Sequence, residues 1–337
     1  MRLLIVGGAG FVGANLAVGL AEEYAVTVMD NLVRPGAELN LSRLQRAGVR
    51  VVRGDVRCAE DWPVMGYDAV ILTAAQPSAI DGYQNPTFDF SNNYGGVLRA
   101  LEHCRQSDCG LIFFSTNKVY PVVAVDRYLI DEDETRFVGQ AINEDCPLDG
   151  ALRSLYGASK VAADLTIQEW ADAFQIPAVV NRCSCLSGPW QWGKVGQGWV
   201  AWWVIAHVLG LPLTYCGFQG KQVRDVLFMP DLLRLIRLEL ETLHSTVTPR
   251  VFNVGGGWAN ACSLIEMTRL CQTITGREVP IEALDVPRRA DFRWYVSCTD
   301  RVRDALDWTP RVNLQDGLVE IHEWVLQQRA LLAPLYL

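Results

Sequence analysis

The feature that most constrains the fold is a glycine-rich turn between the first apolar segment of the chain and its first helical segment. Leu3–Val6 is a short apolar run typical of a buried strand, and Phe11–Glu23 has helical periodicity. Gly7, Gly10 and Gly13 lie at or between their ends with the spacing G-x-x-G-x-x-G. Glycines at this spacing allow a tight turn in which one backbone segment approaches another closely. This start predicts the first strand–turn–helix unit of a parallel α/β sheet.

Apolar strand candidates alternate with helical segments over the first 180 residues. The further strand candidates are Val26–Met29, Val51–Val52, Ala69–Leu72, Leu111–Phe114 and Ala178–Val180. The further helical candidates are Phe88–Arg105 and Leu155–Phe174. Parallel strands need helical crossovers and are buried on both faces, so they appear as short continuous apolar runs. The alternation therefore predicts an α/β fold with a doubly wound parallel sheet, a Rossmann domain.

The pattern changes after about residue 181, where Gly, Pro and Trp become frequent. The helical candidates there are Val200–Leu209, Met229–Leu243, Ser263–Thr275 and Leu314–Arg329. The apolar segment Val251–Val254 is a strand candidate that we expect to return to the first domain. We predict a dinucleotide-binding domain over residues 1–181, with returning segments near 225–256. A smaller, interleaved domain over 182–224 and 257–337 is predicted to bind substrate.

Composition excludes several classes of protein. The chain has 337 residues and a formal net charge of -8, and no basic run offers a surface for nucleic acid. No stretch of about 18 apolar residues predicts a membrane span. The ten cysteines include no C-x-x-C pair and the four histidines lie beside no cysteine cluster, so no metal site is expected. We expect a cytoplasmic protein with reduced thiols.

The glycine turn predicts a phosphate-binding site. The N-terminus of the helix that begins at Phe11 and Val12 offers unpaired N–H groups and a partial positive charge to an anion. Gly7, Gly10 and Gly13 let the backbone approach a pyrophosphate. A glycine-rich turn without a ligand is the alternative.

Acidic residues follow the second and third strand candidates. Asp30, followed by Asn31, ends the second strand 17 residues after Gly13. A carboxylate there accepts hydrogen bonds from the adenosine ribose and repels a 2'-phosphate, which favours NAD over NADP. Arg34 leaves NADP open, since an arginine nearby accommodates that phosphate. Asp55 follows the third strand and is predicted to meet the adenine amino group.

The remaining cofactor contacts are predicted around the third and fourth strands. Val56 follows Asp55, and the small residues Thr73, Ala74 and Ala75 close the fourth strand. Small side chains at that edge let the backbone lie against a dinucleotide.

A candidate catalytic group follows the fifth strand. Tyr156 and Lys160 are four residues apart in a helical segment, so their side chains share a face. An ammonium beside a phenol favours phenolate and lowers the phenol pKa, which makes Tyr156 a candidate general base. Lys160 can also bind the nicotinamide ribose. Thr116, at the end of the fifth strand, is a candidate for binding the reacting hydroxyl.

Together these residues resemble the extended short-chain dehydrogenase/reductase family, which contains nucleotide-sugar epimerases and dehydratases. Four further segments are similar to its CDP-paratose 2-epimerase branch: Ser115–Tyr120, Asp133–Phe137, Gln197–Trp199 and Gly220–Leu227. The similarity extends from Met1 to at least Trp308. The resemblance implies an NAD-dependent epimerase that inverts C2 of a CDP-hexose through a keto-sugar.

The resemblance also bears on alternative reactions. Dehydratases of the family carry a carboxylate pair at the positions of Asn117 and Lys118, so elimination of water is disfavoured here. A nucleotide-sugar 4-epimerase, or another NAD-dependent oxidoreductase of the family, remains open. A non-catalytic protein that senses NAD is the alternative from a different class.

Substrate contacts are implied mainly by the resemblance. Arg224 and Arg293 are candidates for the diphosphate, because arginine pairs with phosphate through two hydrogen bonds. Ion pairs with Asp225 and Asp291 are their alternative role. Further candidates at the substrate or cofactor are Gln76, Asn93, Asn117, Lys118, Asn181 and Gln197. Asn93 and Asn181 can equally stabilise loops or cap helices, and Lys118 can equally bind nearby carbonyl groups.

Two features concern surfaces. Five tryptophans lie between residues 190 and 203, either as core or dimer surface or as a stacking platform for the base. A homodimer is the family expectation, formed by the Phe88–Arg105 and Leu155–Phe174 helices, which can also be buried within one chain.

Overall fold

The computed structural model describes residues 1–64, 66–245 and 250–336. These residues form two compact units. Unit 1 comprises Met1–Val119, Ser154–Arg182 and Leu232–Phe252, and unit 2 comprises Tyr120–Arg153, Cys183–Asp231 and Asn253–Leu337.

The elements have the following bounds. The strands are β1 (Arg2–Val6), β2 (Ala25–Asp30), β3 (Arg50–Arg53), β4 (Ala69–Leu72), β5 (Gly110–Thr116), β6 (Leu129–Glu132), β7 (Phe137–Gly139), β8 (Ala178–Cys183), β9 (Cys185–Ser187), β10 (Leu213–Cys216), β11 (Val223–Phe228), β12 (Arg250–Val254), β13 (Ala261–Ser263), β14 (Ile281–Leu284) and β15 (Trp294–Tyr295). The helices are α1 (Phe11–Leu20), α2 (Leu41–Arg46), α3 (Ala79–Gln84), α4 (Pro86–Phe90), α5 (Gly96–Ser107), α6 (Val122–Val125), α7 (Ser154–Phe174), α8 (Trp199–Leu209), α9 (Met229–Thr242), α10 (Leu264–Thr275), α11 (Asp300–Leu306), α12 (Leu314–Gln327) and α13 (Arg329–Tyr336).

Unit 1 is built on a seven-stranded sheet with the order β12-β8-β5-β4-β1-β2-β3. The pairs β1–β2, β1–β4, β2–β3 and β4–β5 are all parallel. All residues of β4 and β5 are buried, because helices cover the sheet on both faces. The predicted doubly wound α/β fold is therefore confirmed. Its carboxyl-terminal edge receives the ends of β1, β2, β4 and β5, which carry the predicted site residues.

One predicted helix of unit 1 is interrupted. The segment Phe88–Arg105 is not a single helix: a wider π-helical turn, Ser91–Gly95, separates α4 from α5. Asn93 lies in this turn, and its buried amide bonds to the main chain of Gln76. Helical periodicity did not reveal the extra width because the turn keeps a helical direction.

The segment of residues 120–153 was assigned to the first domain from sequence, and it packs in unit 2. Its main chain bonds there: the Phe137 N–H donates to Lys221 O at 3.1 Å and the Ile142 N–H to Val296 O at 2.8 Å. Residues 225–231 and 253–256 also lie in unit 2, so the segment that returns to unit 1 is Leu232–Phe252.

Unit 2 has a small sheet in which β11 pairs with β9, β13 and β15. Its main apolar core involves α8, α10 and α12. The five tryptophans between residues 190 and 203 pack in or against this core: Trp190, Trp192, Trp199, Trp202 and Trp203. No helix in the described ranges has both the length and the apolar character that crossing a membrane requires.

Candidate active site

The glycine turn after β1 is closely packed by backbone. Gly7 has φ +79°, and a Cβ there would lie 2.4 Å from the main-chain nitrogen of Ala74. A Cβ on Gly13 would lie 2.5 Å from Gly7 O. Two of the three glycines are thus required by the turn itself, because no side chain fits at these distances.

Gly10 has a different environment. A Cβ there would meet only Gly7 O within 4 Å, at 3.3 Å, so the turn is open on this side. Gly10 precedes α1 and gives it no side-chain cap, and the first turn from Phe11 carries no acidic residue. The first N–H groups of a helix have no intrahelical partners and favour an anion. The open side of the turn therefore suits a pyrophosphate, and the predicted phosphate contacts of Val12 and Gly13 stay predictions.

The carboxylate of Asp30 is fixed at the end of β2. Its Oδ2 accepts from the Ala9 N–H at 2.9 Å and its Oδ1 from the Leu32 N–H at 2.8 Å. Asn31 turns away and donates to Asp55 Oδ2 at 3.1 Å. Asp30 is thus held in a defined position next to the glycine turn, as a ribose-binding carboxylate requires.

The carboxylate of Asp55 has hydrogen-bond partners within the protein that the sequence did not predict. Arg57 donates to both of its oxygens, at 2.9 and 2.7 Å. Hydrogen bonds from Arg57 hold the pKa of Asp55 well below its usual range. Val56 is buried, and its side chain fills the space that Gly96 leaves on α5. The predicted adenine contact of Asp55 stays a prediction.

The end of β4 is bonded to the glycine turn. The hydroxyl of Thr73 lies 2.9 Å from Val6 O and 3.1 Å from Gly7 O. Ala74 lies against Gly7, and Ala75 is partly exposed. Thr73 and Ala74 therefore lie at the glycine turn, and the predicted cofactor contacts of all three residues stay predictions.

The candidate catalytic residues lie on α7 and at the end of β5. Lys160 is buried, and its Nζ donates to Phe114 O at 2.5 Å and lies 4.0 Å from the centre of the Phe113 ring. Tyr156, one turn earlier, is partly exposed. Thr116 is two residues beyond Phe114 on β5. The ammonium is thus fixed to the strand that carries Thr116, on the helix face that it shares with the phenol.

The short turn after β5 holds the residues that replace a dehydratase carboxylate pair. Thr116 Oγ1 accepts from the Lys118 N–H at 3.2 Å and lies 3.4 Å from Asn117 Oδ1. Asn117 is buried and Lys118 is partly exposed. Neither side chain carries a carboxylate that can remove a proton from carbon.

Gln76 and Asn93 are buried in a polar network. Asn93 bonds to both main-chain groups of Gln76, and both side-chain amides donate to Asp89, at 3.3 and 3.2 Å. Ser159 on α7 completes the network. The geometry suits these amides to holding the site together. Their predicted contacts with ligand stay predictions.

Asn181 lies in the interior of unit 1. It is fully buried on β8, and its Nδ2 donates to Glu239 on α9 at 3.0 Å. Its role as a substrate contact, implied by the resemblance, does not fit this position, because the amide has no exposed surface.

A second buried carboxylate, Asp164, lies one turn after Lys160 on α7. Arg182 donates to both of its oxygens, at 3.0 and 2.9 Å, and the Ser115 hydroxyl donates at 2.7 Å. This group ties α7 to β5 beside Thr116 and to β8.

The predicted residues of unit 2 lie in ion pairs or loops. Arg224 donates to Asp291 Oδ1 at 2.6 Å and to Phe292 O at 2.8 Å. Arg293 donates to Asp126 Oδ2 at 2.9 Å and is the more exposed of the two arginines. Gln197 shares two main-chain hydrogen bonds with Lys194. The alternative role of Arg224, pairing with Asp291, is thus observed.

Sequence reasoning missed Asp89, Ser159 and Asp164. Asp164 follows Lys160 by four residues, as Lys160 follows Tyr156, so helical spacing was a usable signal. Ser159 directly precedes Lys160 in the chain, so its position was also a usable signal. Asp89 had no such signal, because its contacts with Gln76 and Ser159 depend on tertiary packing.

The fold of unit 1 defines a class of proteins in which a dinucleotide lies at the carboxyl ends of a parallel sheet. Tyr156 and Lys160 share one face of α7, with Lys160 bonded to the end of β5. The chain belongs to the NAD dependent epimerase/dehydratase family, whose model matches residues 3–255. Proteins of this family use NAD, so the predicted cofactor is confirmed at the level of the family.

Similarity to individual proteins extends over nearly the whole chain. CDP-paratose 2-epimerase of Salmonella typhi is 36% identical over 96% of this chain and 99% of its own. The structure of Thermus thermophilus UDP-glucose 4-epimerase with NAD is 27% identical, with a TM-score of 0.77 over 96% of this chain and 98% of that one. The structure of Bacillus anthracis dTDP-glucose 4,6-dehydratase with NAD is 25% identical, with a TM-score of 0.78 over 99% of both.

Proposed function

We propose that this NAD-dependent enzyme inverts C2 of a CDP-hexose by transient oxidation. The observation that carries the proposal is the position of Lys160, bonded to Phe114 O two residues before Thr116 and one helical turn after Tyr156. This arrangement suits proton exchange with an alcohol. The similarity to CDP-paratose 2-epimerase supports the choice of nucleotide and carbon.

Each residue has a defined part in the proposed reaction. Tyr156, as phenolate, takes the proton of the sugar hydroxyl, and Lys160 stabilises that phenolate. Thr116 donates a hydrogen bond to the same oxygen. NAD, which the glycine turn and Asp30 would hold, would supply the hydride acceptor for oxidation of the sugar carbon and the hydride donor for its reduction. Tyr156 then returns the proton to the new alkoxide.

Asn117 and Lys118 support epimerisation over dehydration. Elimination of water needs a base to remove a proton from carbon and an acid for the leaving hydroxyl. An amide is neither, and a lysine alone supplies only one of the two. A 4-epimerase shares the same Tyr–Lys chemistry, so the position of the sugar decides between C2 and C4.

Arg224 and Arg293 remain our candidates for the diphosphate. In both, the guanidinium is paired with one carboxylate, which a phosphate can replace or supplement. Arg293 is the stronger candidate because its side chain is more exposed.

We also propose a homodimer formed by α4, α5 and α7. Phe90, Leu165 and Phe174 expose 38%, 46% and 50% of their surface on these helices. Burial of such side chains against a second copy would remove them from water. The ten free cysteines support a reducing, cytoplasmic location.

The function is tested by incubating the NAD-loaded protein with CDP-paratose and following the C2 epimer by NMR. We expect conversion by the wild type and a loss of about 100-fold or more in Tyr156→Phe, because the phenyl group cannot exchange a proton. Tyr24→Phe is the matched control, since Tyr24 precedes β2 and lies away from the carboxyl ends of the strands. Equal rates for Tyr156→Phe and wild type would exclude the mechanism. Conversion of a UDP-hexose at C4 with CDP-paratose untouched would favour the 4-epimerase.

A further inference from the structure

Asp89 is a buried carboxylate that the proposed mechanism does not use. It lies on α4 with no exposed surface. Its Oδ1 accepts from the Ser159 hydroxyl at 2.5 Å and from Asn93 Nδ2 at 3.3 Å. Its Oδ2 accepts from Gln76 Nε2 at 3.2 Å. All three donors are neutral, so the hydrogen bonds favour the ionised form without cancelling its charge.

Ser159 connects this carboxylate to the catalytic turn of α7. It lies beside Lys160 in the chain, and its hydroxyl is also 2.9 Å from Tyr156 O. Gly82 on α3 leaves the room for this contact: a Cβ there would lie 2.8 Å from Asp89 Oδ2 and 3.5 Å from the Tyr156 nitrogen. The carboxylate therefore lies close to the backbone from which both catalytic side chains extend.

Lys160 is the cation that acts electrostatically on Asp89. The pKa of Asp89 is raised overall, because burial raises it by more than the hydrogen bonds from Ser159 and Asn93 and the charge of Lys160 lower it. An unshielded charge in a buried site acts over a longer distance than one in water, because the local dielectric constant is lower.

Other ionisable groups also lie around Tyr156 and Lys160. Arg34 interacts electrostatically with Asp30, Asp81 and Tyr156, so its charge is shared with two carboxylates. Lys118 lies on the turn that packs against α7. The half-exposed phenol of Tyr83 lies on α3, the helix that carries Asp81. None of these groups is changed by a substitution at residue 89.

We propose that Asp89 is a positioning residue for Tyr156 and Lys160, and that its negative charge sets the pH range over which Tyr156 exchanges its proton. A carboxylate near the pair favours the ammonium of Lys160 and disfavours the phenolate of Tyr156. Asp89 thus keeps the phenol protonated to a higher pH than Lys160 alone would allow. The catalytic role of Tyr156 in this inference rests on the proposed function.

The test measures the pKa of Tyr156 directly by NMR, in NAD-loaded protein that contains ¹³C-labelled tyrosine. The Tyr156 resonance is identified by its loss in Tyr156→Phe, and its shift is followed from pH 6 to pH 11. In Asp89→Asn, which keeps the shape and removes the charge, we expect the pKa of Tyr156 to fall by about half a unit or more. Ser159→Ala keeps the charge and removes one hydrogen bond, so we expect it to shift the pKa by much less.

An unchanged pKa in Asp89→Asn would overturn the inference, and so would an equal shift in Ser159→Ala, which would assign the effect to the hydrogen bond. Circular dichroism and NAD binding check that each variant folds. If the asparagine variant does not fold, Asp89→Ser makes the same change of charge and leaves space for water. The resonance is read without sugar, so a failure to convert any nucleotide-sugar would contradict the proposed function and leave this inference standing.

Discussion

At the scale of single residues, the buried carboxyl groups differ in the partners that compensate their charge. Asp164 is neutralised by Arg182, whereas Glu239 accepts a hydrogen bond from the neutral Asn181 amide. Burial raises the pKa of Glu239 to about 8. Glu239 Oε1 and Asn181 Oδ1 are both buried without a partner in the described structure, and a proton on the carboxyl group can join them.

This arrangement predicts a pH-dependent stability. The folded protein holds a proton on Glu239 that the unfolded chain releases near pH 4.5, so the contribution is complete below that pH. It is lost as pH rises through about 8, and amounts to a few kcal/mol in order of magnitude. Urea denaturation at pH 5, 7 and 9 should show a smaller decline for Glu239→Gln, whose amide is neutral throughout. Parallel declines for variant and wild type would mean that Glu239 is ionised in the folded state.

At the scale of elements, the sequence was sufficient for the parts of the fold that depend on local pattern. Apolar runs between turns located β1, β4 and β5, and the helical period located α7. The short strands of unit 2, such as β15 with two residues, carry no such period and were missed. The interruption between α4 and α5 was missed because it depends on the bonds of Asn93 to Gln76, which are distant in the chain.

The residues of the candidate site also divide into those that a local sequence pattern indicates and those that depend on contacts between distant parts of the chain. Gly7, Asp30 and Lys160 could be proposed from sequence because their spacing relative to strands and helices carries the signal. The sequence left undecided whether Arg224 pairs with Asp291 or binds the diphosphate, since the ion pair joins residues 67 positions apart. The substrate contact of Asn181 does not fit its position, because its amide is buried against Glu239, 58 positions away in the chain, and the sequence gives no signal for that contact.

The turn between β1 and α1 gives a prediction for one element. Gly13→Ala places a Cβ 2.5 Å from Gly7 O and 2.7 Å from Thr73 Oγ1, so the turn must open. We expect NAD to bind about 10-fold more weakly or worse, with a stability loss of about 1–3 kcal/mol. Gly95→Ala is the control, since a Cβ there meets nothing within 4 Å. Calorimetric titration with NAD measures both, and unchanged affinity in Gly13→Ala would argue against a pyrophosphate at this turn.

At the scale of the whole molecule, the exposed apolar residues of α4 and α7 predict self-association. Leu165→Asp places a charge in the proposed interface, where burial of a carboxylate without a partner is unfavourable. We expect the variant to be a monomer by light scattering at a concentration at which the wild type is a dimer. Val286→Asp is the control, because Val286 is 79% exposed in unit 2. A monomeric wild type, or a dimeric Leu165→Asp variant, would contradict the proposal that this face is a dimer interface.

The central claim is that one hydride leaves C2 of the sugar and returns to the same carbon. The most direct measurement uses CDP-paratose that carries deuterium at C2, incubated in ordinary water with the NAD-loaded protein. We expect the C2 epimer to retain its deuterium at C2, because the hydride does not exchange with solvent. Replacement of that deuterium by solvent hydrogen would contradict it and indicate removal of a proton from carbon.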